Sequence, residues 1–198
     1  MLSAIRDRRS IRSFLDRPVP REALEEILLA GTLAPSSKNR QPWRFIVTAG
    51  KAKEQLLEAM DRGLEREGRS PLLPGSAAYL SGAENTRRIM AQASVVILVM
   101  DPLGLPLDSS LTPEERVYEI CNAQSLGAAV ENMSLAAGSL GLGSLWICDT
   151  YFAYPELMEW AGGPGELYAA LAVGYPAEAP LPRPRKSLEE TVEWRIDG

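Results

Sequence analysis

The chain contains no histidine. That absence removes Ser-His-Asp and Cys-His nucleophilic catalysis, imidazole-ligated metals and the usual near-neutral general base. Cysteine is almost as scarce. Cys121 and Cys148 are the whole complement and form no C-x-x-C pair, which argues against a zinc ribbon, an iron–sulfur cluster or a dithiol redox couple. Both read as small apolar side chains buried in the core, not as a disulfide. Positive charge is also short: the net charge of −5 gives no counterion-release gain at a nucleic-acid or anionic membrane surface. No run reaches the roughly 20 apolar residues of a membrane-spanning helix, and the first twelve residues lack the apolar core of a signal peptide. The expectation is a cytoplasmic protein with no nucleic-acid or membrane partner and no metal. Its chemistry has to come from carboxylates, tyrosines, backbone groups or a cofactor.

What is present is enough to build a core: 198 residues, 45% of them hydrophobic, at the upper end of a single domain spanning 1–198. Residues 3–8 can form a short opening helix. Val19-Pro20-Arg21-Glu22 starts a better-marked one, with proline in the first turn and acids beside the N-terminal dipole, and Leu24, Ile27, Leu28 and Gly31 fall on one face. Residues 43–48 read as a strand and 51–67 as an amphipathic helix with Leu56, Leu57, Met60 and Leu64 on its buried stripe. The Gly/Pro/Ser/Ala-rich stretch 68–82 reads as a loop or excursion of variable form. A helix over 83–91 precedes the continuous apolar run 94–100, the pattern of a strand buried on both faces.

Thr112-Pro113-Glu114-Glu115 combines a capping box with proline at N1 and opens the longest helix, to about Ser139. Small and apolar residues surround much of its circumference, which predicts burial or close packing against a second helix, here in a homodimer. Strands follow at 144–148 and 167–173, with a short helix at 154–160 between them. The tail 176–198 carries Pro176, Pro180, Pro182 and Pro184, which favour an extended arm ending in a capped turn at Ser187-Leu188-Glu189-Glu190.

Three blocks carry chemistry. Arg8-Arg9-Ser10-Ile11-Arg12 packs three guanidiniums and a hydroxyl into five residues. An isolated basic cluster is most often a solvated helix end, but guanidiniums also give bidentate bonds to phosphate and offset negative charge on a reduced ring. Pro35-Ser36-Ser37-Lys38-Asn39-Arg40-Gln41-Pro42-Trp43 is richer in hydroxyls and carboxamides than a turn requires. Arg183, Arg185 and Lys186 form a charged tail that can supply the other half of a phosphate site. Gly141-Leu142-Gly143 follows a helix and enters a strand, so it reads as a helix C-cap and not as a dinucleotide fingerprint.

Taken in order, the segments 8–14 (RRSIRSF), 34–45 (APSSKNRQPWRF), 139–147 (SLGLGSLWI), 174–176 (GYP) and 183–192 (RPRKSLEETV) resemble the FMN-dependent nitroreductases over nearly the whole chain. The resemblance implies an α+β fold, a three-layer sandwich with a central, mostly antiparallel sheet flanked by helices. It implies an obligate homodimer whose C-terminal extension lies on the partner, and two FMN sites at the interface. Arg8, Arg9 and Ser10 would face the phosphate and ribityl chain, and Arg12 the N1 and O2 side of the ring, as the main electrostatic contributor to catalysis. Pro35, Ser36, Ser37 and Asn39 would come from the other subunit. Gly141, Leu142 and Gly143 would approach the ring through backbone groups, and Arg183 with Arg185 would grip the phosphate. Arg183 stands where the family often has lysine, keeping the charge and adding donors. Residues 68–82 have no clear family match, and Asn85 matches a ring-contacting asparagine only at loose spacing. The implied activity is NADH- or NADPH-driven reduction of nitroaromatics, quinones or related small electron acceptors by a ping-pong hydride mechanism. Dehalogenation, enone reduction and flavin fragmentation on the same fold, and a non-catalytic flavin sensor, remain the alternatives.

Overall fold

A computed structural model describes residues 3–72 and 75–196. Four strands form one antiparallel sheet in the order β1 (Arg44–Thr48), β2 (Val95–Asp101), β4 (Glu166–Gly174), β3 (Gly143–Ile147). The apolar run of β2 is central, and every one of its residues is buried. Side chains alternate across a strand, so Val95, Ile97 and Val99 join one core while Val96, Leu98 and Met100 join another. The first core lies under α2 (Arg21–Thr32) and α5 (Pro113–Ser139). The second lies under α3 (Gly50–Arg69), α4 (Leu80–Gln92) and α6 (Tyr154–Ala161). Helix, sheet, helix is the three-layer α+β sandwich the sequence suggested.

Several elements follow from local chemistry. The Thr112 hydroxyl accepts from the Glu115 N–H while the Glu115 carboxylate accepts from the Thr112 N–H, so the capping box that opens α5 is complete. At its other end the Leu142 N–H reaches the Ala137 carbonyl at 2.9 Å and the Gly141 N–H the Gly138 carbonyl at 3.1 Å, with Gly141 at φ 72°. That is a Schellman stop, and glycine supplies the left-handed residue it requires. A bulge at Val99/Met100 leaves Tyr168 without a strand partner and sends its hydroxyl to Glu119 on α5, at 2.9 Å. The arm ends in a second capping box, Ser187 with Glu190, opening α7 (Leu188–Thr191).

Two expectations need correction. The stretch 68–82 is mostly helical at its borders: α3 continues to Arg69, α4 begins at Leu80, and a 3-10 turn spans Ser76–Tyr79. Its Leu73 and Pro74 lie outside the described residues. One tertiary contact and one local one hold the α3 border. Arg66 on α3 pairs with Glu156 of α6 at 2.7 Å, and the buried Glu67 carboxylate accepts from the Leu72 N–H at 2.8 Å. Cys148 is exposed and Cys121 only partly buried, because Cys148 follows β3, a strand at the sheet's edge. Within one chain α5 is buried along only part of its length, and its expected close packing against a second helix is not contradicted. Its second half carries core residues such as Leu126, Val130 and Met133, whereas Val117, Tyr118 and Ile120 in its first half are 42 to 56% exposed.

Candidate functional site

The short opening helix α1 (Ser3–Asp7) lies against α5, and the Arg8 guanidinium meets the Glu131 carboxylate of that helix at 3.1 Å. The chain then runs along the edge of the sheet. Ser10 forms a parallel bridge with Ser144, and the Ile11 N–H donates to the Ser144 carbonyl at 2.9 Å. This contact explains Gly143: a Cβ there would stand 2.7 Å from Ile11 Cγ1, closer than packing permits. Glycine lets the arginine block dock on β3.

After Phe14 the chain meets the segment leaving β4. Phe14 bridges Pro176, the Leu15 N–H donates to the Tyr175 carbonyl at 2.9 Å, and the Ala177 N–H donates to the Ser13 carbonyl at 2.9 Å. Arg17 stacks over the Tyr175 ring at 3.7 Å. The arm therefore leaves β4 alongside the arginine block, and the two form one cleft of about 380 Å³. Its walls are Ile5, Arg6, Arg8, Arg9, Ser10 and Arg12 from the N-terminal segment and Pro180, Leu181, Pro182, Arg183 and Arg185 from the arm. A second cleft of about 320 Å³ shares Arg9 and Pro180 with it and adds Leu142, Gly143, Ser144 and Ser134. Two sequence segments about 170 residues apart thus meet around one space.

The charge in that space is only partly offset. Arg6 pairs with Asp7 at 3.1 Å and Arg8 with Glu131. Arg9 turns its guanidinium to the Arg6 and Arg8 carbonyls, both at 2.7 Å, and Arg12 to the Ser10 carbonyl at 3.2 Å. Among the described residues Arg185 reaches only the Pro184 carbonyl, at 3.4 Å. Carbonyl partners orient a guanidinium without cancelling its charge. The result is a cationic, donor-rich wall suited to a phosphate dianion, beside a cleft lined by Gly143 and Ser144, with room for a flat ring system. The residues present fit FMN.

The structure thus brings together Arg8, Arg9, Ser10, Arg12, Arg183 and Arg185, with Leu142 and Gly143 next door. Gly141 is exposed and lines neither cleft; its role is the helix stop. Pro35, Ser36, Ser37 and Asn39 lie elsewhere in the same chain. The Ser37 N–H donates to the Ser125 hydroxyl near the middle of α5 at 3.4 Å, and the Gln41 N–H to the Ser36 hydroxyl at 3.0 Å. Lys38, Asn39 and Gln41 all have φ between 51° and 53°. Three left-handed non-glycine residues among four is costly, and such strain concentrates at functional segments. Asn85 is an exposed residue of α4 and lines neither cleft. Sequence reasoning missed Arg6, Glu131, Ser134 and Glu178. Arg6 had a signal in its closeness to the arginine block; the others are isolated polar residues with none.

Comparison with known proteins places the chain in a family. The sequence model of the Nitroreductase family matches residues 5–175. A protein of Archaeoglobus fulgidus described as an NADH dehydrogenase/NAD(P)H nitroreductase is 32% identical over 185 residues, covering 89% of this chain and 86% of that one. The FMN reductase [NAD(P)H] of Bacillus subtilis is 27% identical over 191 residues, 96% of this chain and 71% of its own length. Among solved structures, a protein of Desulfovibrio desulfuricans described as a nitroreductase in complex with FMN superposes with a TM-score of 0.69 at 30% identity, covering 98% of this chain and 96% of the other.

Proposed function

This chain belongs to the nitroreductase family, and from that premise we propose that it reduces nitroaromatic, quinone or related small acceptors with electrons from NADH or NADPH, in two half-reactions at one site. It is an NAD(P)H-dependent FMN oxidoreductase, in line with its relatives. The observation that carries the reading is the meeting of Arg8, Arg9 and Arg12 with Arg183 and Arg185 around one cleft.

FMN, when bound, supplies a ring that accepts hydride from the nicotinamide and passes the electrons to the acceptor. The chain's own residues have narrower tasks. Arg9, Arg183 and Arg185 would hold the phosphate, and the Ser10 hydroxyl would bond the sugar-alcohol chain. Arg12 would offset the negative charge that the ring acquires on reduction. The backbone at Leu142 and Gly143 would lie against the ring. A protein lacking histidine suits this division of labour, because the cofactor carries the hard chemistry and the fold supplies orientation and electrostatics.

A homodimer completes the site in this reading. Pro35, Ser36, Ser37 and Asn39 of a second copy would close over the ring. Two observations support the dimer: the exposed apolar face of Val117, Tyr118 and Ile120 on α5, and the arm's Leu181, Leu188, Trp194 and Ile196, which are 69 to 86% exposed within one chain. Among the described residues no helix is long and apolar enough to cross a membrane. The test is spectroscopic. The purified protein should be yellow, and anaerobic NADH or NADPH should bleach it. A protein that binds no FMN would refute the reading of the cleft, and one that stays yellow with both nicotinamides would refute the reductase.

A further inference from the structure

Within one chain, the arm that walls the cleft is joined to the body only near its root, among the described residues. After β4 the arm pairs with residues 13–15 through Tyr175, Pro176 and Ala177. Glu178 follows, and its carboxylate accepts from two backbone N–H groups, those of Arg12 and, at 3.1 Å, of Ser13. Among the described residues it is the last of the arm to hydrogen-bond to the body of the chain. The later bonds of the arm stay within the arm, as with Arg185 to Pro184 or Ser187 to Glu190.

Beyond that point Pro180, Pro182 and Pro184 alternate along the chain. Proline fixes φ and favours an extended, semi-rigid path of about 3.1 Å per residue. Arg183 lies five residues on, about 16 Å along such a path. A stiff segment passes the direction of its root to its tip, so a small rotation at Glu178 displaces the guanidiniums of Arg183 and Arg185 by a much larger distance. At the same time the clamp fixes the backbone of Arg12.

We propose that Glu178 is the positioning residue of the cofactor cleft: one carboxylate holds Arg12 in place and aims the arm that delivers Arg183 and Arg185. The carboxylate sits on an exposed stretch of chain, outside both cores, so its loss leaves the fold intact. The proposal rests on the FMN reading of the cleft. It concerns how the cleft is assembled, not what fills it.

The test uses the full chain as Glu178→Ala and Glu178→Gln. Removing two charge-assisted bonds to backbone N–H groups should weaken FMN about tenfold by flavin-fluorescence titration in Glu178→Ala. Amide exchange at Arg12 and Ser13 in the flavin-free protein should quicken, with the melting temperature within about 1 °C of the parent. Glutamine keeps an acceptor oxygen at the same reach, and Glu178→Gln should recover affinity to within about twofold. An alanine variant with parental affinity, or a glutamine variant as weak as alanine, would overturn the proposal. A parent protein that binds no FMN would defeat the functional reading alone, and amide exchange at Arg12 and Ser13 would still decide the clamp.

Discussion

At one end of the sheet, where Gly143 pairs with Gly174 and Ser10 bridges Ser144, the chain gathers arginines. At the other end, where Asp101 pairs with Glu166, it gathers acids. Asp101 is wholly buried, and Glu166 and Glu119 line a cavity of about 190 Å³ with Tyr151, Tyr154 and Tyr168. The two ends handle like charge differently. Arginine cannot give up its proton in a protein, so a cluster of guanidiniums held on backbone carbonyls keeps its charge until an anion arrives. Carboxylates can relieve theirs. Burial pushes the Asp101 carboxyl up from its ordinary value, and burial with the charge of Glu119, Asp108 and Asp101 pushes Glu166 up. The Tyr168 phenol is raised as well, by burial and by its bond to Glu119. One end therefore waits for a ligand, while at the other burial disfavours the charged form of its carboxyls.

The sharpest way to break this comparison is to remove the arm's charge. Replacing Arg183 and Arg185 together by alanine should weaken FMN about 100-fold in a fluorescence titration, since each guanidinium gives charge-assisted bonds to phosphate. The melting temperature of the flavin-free protein should hold. Parental affinity in that variant would remove the arm from the site.

Gly143→Ala tests whether the arginine end is built on close backbone approach. Its Cβ would meet Ile11 at 2.7 Å, so the variant should lose about 1–3 kcal/mol in denaturant unfolding. FMN should weaken with it as the block is pushed off β3. A neutral result would show that Ile11 can step aside.

Arg12→Ala should slow reduction by NAD(P)H, or weaken FMN, about tenfold in anaerobic stopped flow. Unchanged rates and occupancy would end its catalytic role.

The smallest effect belongs to the acidic end. Because the folded-state value of Glu166 lies above its ordinary 4.5, its favourable contribution is complete below that value and is lost as pH rises through the folded one. Glu166→Gln removes the loss. The variant should melt about 1–2 °C higher than the parent at pH 8 and level with it at pH 4, a small change because the group is partly solvated. FMN affinity should not move. If it did, the two ends would be coupled across the sheet.

Much of this molecule was legible before any coordinates. The apolar run of β2, the capping boxes at Thr112 and Ser187 and the glycine stop at Gly141 are local signals, and each appears where the local chemistry puts it. The arginine block and the Arg183/Arg185 pair stood out as residue types. Other features were hidden because distant partners decide them. The helical border at Arg69 depends in part on Arg66 meeting Glu156 of α6. The exposure of Cys148 depends on β3 being an edge strand, which strand order decides and Cys148's own neighbours do not. The half-open surface of α5 depends on how far the sheet and α2 extend along it.

By itself, the sequence determined the kind of chemistry available. No histidine, two unpaired cysteines and three groups of guanidiniums and hydroxyls leave a protein that must borrow its reactive group and can hold an anionic one. Only the tertiary structure decided that Arg8 to Arg12 and Arg183 to Arg185 share a single cleft, and that the Ser36 to Asn39 loop lies outside it in the same chain. The reason is physical. Hydrogen-bonding patterns, caps and turns act over a few residues and are written locally. Bringing together charges about 170 residues apart requires the strand order that sets β3 beside β4, the glycine that admits Ile11, and one carboxylate at Glu178 that fixes where the arm departs.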